Sequence, residues 1–217
     1  MTSLNKTGSA CLVLGPLLGV VSMVLARTVS HRAADQAAAF TAHPTASQIG
    51  LGINALAAVL LTAGVVWLAL TTYARAPRLA ATGGVLGVLG MFAIVFDDAV
   101  HLSGALVVRG LDPARAADLL GPLSSGGVLA VGPLSELADV GVILLALATL
   151  RLGVSRWAVA AICVGVVVEG AGFAIGTRYL PAVGFAIALA GYAAVVHTLA
   201  GRTVQSASSL PSPAITG

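Results

Sequence analysis

Five carboxylates in this chain sit where a carboxylate is costly. Of the eight acidic residues among 217, Asp35, Asp112 and Asp118 fall in polar connections, while Asp97, Asp98, Glu136, Asp139 and Glu169 lie inside long apolar runs. A charge at the centre of a membrane-spanning helix costs on the order of 3 kcal/mol, so such residues face a cavity or a partner and mark function. Apart from Arg156 at the very start of its run, no Lys or Arg accompanies them within the runs. They must then carry protons, bind a cation or line a water-filled vestibule. Desolvation and mutual repulsion favour the neutral acid. A neutral carboxyl in a dry pocket is a proton donor, either the general acid of an enzyme or the proton-carrying site of a transporter.

The spacing gathers these groups. Asp97 and His101 are four apart, Asp98 and His101 three apart, and Glu136 and Asp139 three apart, so each pair shares a helix face. At about 1.5 Å per residue, Asp97, Glu136, Asp139 and Glu169 lie roughly 27, 21, 17 and 21 Å from one membrane face, close to a single level. The five acids are the catalytic candidates. His101 and Asn54, with Ser22 and Thr62, are candidate polar contributors to the same pocket, and Phe92, Phe96 and Phe173 could offer ring faces to a cationic intermediate or ligand. The simpler readings are interhelical hydrogen bonds for Asn54, Ser22 and Thr62, and plain packing for the phenylalanines. Asp97, His101, Glu136 and Asp139 together offer carboxylate and imidazole ligands for a divalent cation. Paired Glu-x-x-His motifs are absent and His197 falls near the opposite end of its run, so no metal or other cofactor is expected. His31 and His43 fall in a connection, where solvent exposure is the default.

The elements that must position these residues are membrane spans. The chain is 58% hydrophobic and 9% charged, against about 25% charged in soluble domains, so water cannot be its only solvent. A span needs about 20 mostly apolar residues, and six runs qualify: 9–26, 49–74, 79–103, 124–150, 156–176 and 181–200. The expected fold is all-α, a polytopic bundle forming one domain over 1–202, with a disordered Ser- and Pro-containing tail over 203–217. The stretch from Met1 to Ala26 has features of a signal peptide but is read as an uncleaved first span. The connections 27–48 and 104–123 are long, and the second suggests a short interfacial helix over 113–120.

With six spans, one side receives Lys6, Arg75, Arg78, Arg151, Arg156 and Arg202 and no acid. The other receives Arg27, Arg32, Arg109, Arg115 and Arg178 together with all three connecting acids. Basic residues favour the cytoplasmic side, which predicts both termini in the cytoplasm and a multi-pass protein of the cytoplasmic membrane. Ten of the eleven basic residues are Arg, spread singly or in pairs. This argues against a nucleic-acid partner and, beside the heavy use of Ala, Gly and Val, for a GC-rich bacterial genome. Gly83, Gly84, Gly87 and Gly90 predict close helix packing. Gly15-Pro16-Leu17 and Gly132-Pro133-Leu134 are candidate marks of an inverted repeat, with a Pro kink in each helix as the bland alternative.

In size, in its several spans and in setting isolated Glu and Asp on different helices, the chain loosely resembles the small integral-membrane terpene cyclases of meroterpenoid pathways. The resemblance is one of architecture. It implies a membrane enzyme, a cyclase or isomerase of a lipid-like or isoprenoid substrate reached from the bilayer, with Glu136 or Glu169 and Asp97 or Asp139 as its acids. The alternative from the residues alone is a small proton- or cation-coupled transporter, for which six short helices favour a homodimer. A further alternative is an accessory membrane protein without chemistry of its own.

Overall fold

A computed structural model of the chain describes residues 3–25, 30, 32–125, 128–177 and 179–208. Among these, every element is helical: α1 (Ser3–Leu25), α2 (Ala33–Ala42), α3 (Pro44–Tyr73), α4 (Pro77–Val107), α5 (Pro113–Ser125), α6 (Val128–Thr149), α7 (Arg156–Ile175) and α8 (Tyr179–Ser208). Six of them, all but α2 and α5, are long and apolar enough to cross a membrane. In a bilayer every backbone polar group must be satisfied within the protein, and a helix does this within its own segment.

Local signals set the ends. Pro44 and Pro77 open α3 and α4 at the first helical positions, where a missing N–H costs nothing. Asp112 caps α5, its Oδ1 accepting from the amides of Ala114 and Arg115 at 3.2 and 3.1 Å. Gly176 stops α7 in the left-handed region, at φ 73°, which suits a residue without Cβ.

The spans form a closed ring in which α1 touches α3 and α8, α3 touches α4, α4 touches α6, α6 touches α7 and α7 touches α8. Glycine lets the ring close tightly. Gly83, Gly87 and Gly90 of α4 lie against Leu145, Gly141 and Ala138 of α6, while Gly84 faces Ala69 of α3. This is the small-residue packing expected from the four glycines. Leu12, Leu68, Leu145, Ile162 and Val195 are fully buried between the helices. Phe92, Leu70 and Val167, each more than 60% exposed, point outward, as lipid-facing residues do.

Three expectations change. The connection 27–48 is not a loop, since α2 fills much of it and α3 begins five residues earlier than its expected start. The alanine-rich stretch 33–42 is too short and too weakly apolar to stand out as a span. It is fixed instead by burying Ala37 and Phe40 against Val108 of the α4 end and Ala116 and Leu120 of α5. Together α2 and α5 cap one end of the bundle, called the capped end below; the turns after α3 and α6 lie at the other. The tail expected to be disordered from 203 is helical as far as Ser208, and 209–217 lie outside the described residues. The two Gly-Pro-Leu triplets are not equivalent: Pro16 is buried at mid-helix, whereas Pro133 is exposed in the first turns of α6.

Candidate functional site: carboxylates at the centre of the ring

The first polar group joins three helices. Asp98 on α4, 6% exposed, receives both its hydrogen bonds from one side chain: Asn54 Nδ2 of α3 donates to Oδ2 at 2.9 Å and to Oδ1 at 3.2 Å. Ser22 of α1 in turn donates its hydroxyl to Asn54 Oδ1 at 3.0 Å, with the Gly19 carbonyl at 2.9 Å as its other acceptor. The Asn54 amide is therefore oriented with its nitrogen toward the carboxylate and its oxygen toward the hydroxyl.

Truncating Asn54 would leave a buried carboxyl with neither donor, a loss of about 1–3 kcal/mol. We expect Asn54→Ala to lower unfolding stability in detergent by that amount and Asn54→Asp, which sets a second acid against Asp98, by more. Equal stability of Asn54→Ala and wild type in a denaturant titration would show that the amide does not hold Asp98.

One turn toward the capped end, His101 Nδ1 lies 2.9 Å from the Asp97 carbonyl and 3.2 Å from Asp97 Oδ2. Both neighbours are acceptors, so this ring nitrogen carries a hydrogen. The pair is half-buried.

The second polar group lies on the ring axis. A cavity of about 40 Å³ is lined by residues of all six spans, among them Pro16, Asn54, Met91, Asp139, Glu169 and Tyr192. Two carboxyls from different helices thus share one small space. The backbone makes room for them: at Gly170, next to Glu169, a Cβ would lie 3.3 Å from Asp139 Oδ2, and at Gly184 one would strike the backbone of Glu169. Among the described residues no Lys, Arg or His lines the cavity. Asn54 belongs to both groups, holding Asp98 with its nitrogen while its side of α3 lines the cavity.

The structure thus brings Asn54, Asp139 and Glu169 to one cavity, joins Asp98 to it through Asn54, and keeps Asp97 and His101 beside Asp98 on α4. It leaves out others. Glu136 is exposed on α6 although it is only three residues from Asp139. Phe92 and Phe96 are 63% and 54% exposed, on the outward side of α4, and so do not offer their rings to the acids. Phe173 is half-buried on α7 and is not part of the cavity lining. Thr62 donates its hydroxyl to the Ala58 carbonyl of its own helix. His43 and His197 are exposed, and His31 lies outside the described residues.

Asp97, His101, Glu136 and Asp139 do not assemble as a ligand set, and among the described residues no three His, Cys, Asp or Glu side chains are grouped to hold a metal ion. Sequence reasoning missed Tyr192, 4% exposed and lining the cavity from α8. A lone tyrosine between Gly191 and Ala193, far from either helix end, was the available signal. Tyrosines of membrane proteins gather at the interfaces, so one at mid-span marks a polar interior.

No protein-family model, curated protein or solved structure matches this chain, so the functional reading rests on the geometry of the site.

Proposed function

We propose that this protein is a small proton- or cation-coupled transporter whose coupling ion binds between Asp139 and Glu169. The observation that carries this reading is the cavity itself: two carboxyls from separate helices, no basic partner among the described residues, and about 40 Å³ of space. At about 10–15 Å³ per water, that is room for roughly three waters or one ion. Sites for organic ligands run to about 300–1,000 Å³. Cyclisation of an isoprenoid by these acids, the reading favoured by the resemblance to membrane terpene cyclases, would need a space of that larger size at Asp139 and Glu169.

Uncompensated carboxyls away from bulk water persist by holding a proton or a cation. Two of them facing each other make a site whose occupancy changes by one positive charge. Asp97, His101, Asp98 and Asn54 supply a polar route to that site from the capped end. The arginine distribution supports that end facing outside and both termini facing the cytoplasm, and a bacterial cytoplasmic membrane, with its proton-motive force, suits the function.

Infrared titration of the protein reconstituted in lipid tests the reading. A carbonyl stretch from protonated carboxyl groups should persist at neutral pH, weaken in both Glu169→Gln and Asp139→Asn, and be displaced by sodium or lithium if the coupling ion is a cation. A spectrum without that band, and without any change on adding these cations, would sink the proposal.

A further inference from the structure

A second cavity, of about 400 Å³, lies between the capped-end third of α4 and α5, and nothing in the proposed transport site uses it. Ala99, Val100, Ser103 and Val107 of α4 and Leu119 and Leu120 of α5 line it. The one hydroxyl among the described lining residues has its hydrogen already committed, since Ser103 donates to the Ala99 carbonyl at 2.8 Å, so it presents no free donor to an occupant. Two of its lining side chains, Val107 and Leu119, are 67% and 50% exposed apolar residues. The groove therefore suits a hydrocarbon chain, and its volume is ample for one.

Charge says what is attached to that chain. Arg109 follows directly on the groove-lining Val107 and Val108, in the turn where α4 ends. It is exposed, and among the described residues no carboxylate lies within ion-pair distance of it; the pairs formed there are His101 with Asp97 and Arg115 with Asp112. An exposed guanidinium on the residue that directly follows the groove-lining Val107 and Val108 matches an ester phosphate, which it can hold through paired N–H donors. Arg109 also lies where α4 leaves its apolar run, the depth at which basic side chains meet headgroups.

We propose that this groove holds one acyl chain of an anionic glycerophospholipid whose phosphate is bound by Arg109, which makes α5 a lipid-anchored lid on the capped end. The proposal is independent of the chemistry at Asp139 and Glu169. The test is native mass spectrometry of the full chain released from nanodiscs of phosphatidylglycerol, or of phosphatidylcholine doped with diacylglycerol of the same chains. Wild type should retain one phosphatidylglycerol per chain and no diacylglycerol.

Arg109→Gln, a surface change that leaves the packing intact, should weaken retention about fivefold, the effect of one basic residue near a lipid headgroup. Ser103→Phe should abolish it by filling the groove, with monodisperse elution checking that the variant folds. Retention unchanged in Arg109→Gln, or equal retention of diacylglycerol, would overturn the phosphate assignment. Loss of all lipid from wild type, or retention unaffected by Ser103→Phe in folded protein, would show annular lipid only and overturn the site.

Discussion

Glu169→Gln should abolish pH-driven charge movement in proteoliposomes, by about a hundredfold or more, the range over which positioned proton-transfer groups act, while leaving the protein folded. The amide has the size of the acid and cannot take up or release a proton or bind a cation by charge. Glu169 lines the central cavity across from Asp139, on the opposite side of the most weakly packed seam of the ring. Because no base lines the cavity among the described residues, the amide breaks no ion pair there, and stability should stay within about 1 kcal/mol of wild type. Asp139→Asn should cause a loss of similar size, since either carboxyl alone leaves the ion half its ligands. Glu136→Gln provides the contrast: an exposed side chain outside the cavity should lose far less. Charge movement measured on solid-supported membranes after a pH jump separates these cases. Full activity in Glu169→Gln, or an equal defect in Glu136→Gln, would remove the central site from the mechanism.

The largest structural effect is expected at Gly141. A Cβ there would run into the backbone of Gly87 on α4, and one at Gly90 would likewise meet the backbone of Ala138 on α6. Neither obstacle is a side chain that could rotate away. Gly141→Leu must push α4 and α6 apart over the contact that carries Asp98 and Asp139 on its two sides. A stability loss of roughly 3 kcal/mol or more is expected, at or beyond the upper range for overpacking. It should be visible as a lower melting temperature in detergent and a reduced monodisperse peak. Gly52 of α3 is the control, because a Cβ there meets nothing within 4 Å; Gly52→Ala should stay within about 1 kcal/mol of wild type, on the stable side if it differs. If Gly141→Leu melts with wild type, α4 and α6 do not pack through these glycines.

Sequence by itself determined the spans and which ionisable residues lie within them. Long apolar runs interrupted by five acids admit few environments other than a bilayer, because length, hydropathy and the cost of buried charge are properties of a segment alone. The close packing at Gly83, Gly87 and Gly90 was legible for the same reason, as was a short helix beginning at Pro113. Tertiary structure decided which side chains meet. Asp139 and Glu136 lie three residues apart, yet one lines the cavity and the other is exposed, and Phe92 and Phe96 share a helix with Asp98 but face away from it. Helical period gives relative angles around one axis and leaves the rotation of that axis free; only packing against neighbouring helices fixes it. Asn54 shows the same limit from the other side. Nothing in its local sequence joins it to Asp98, 44 residues on, and the hydrogen bonds between them exist because α3 and α4 are adjacent in the ring.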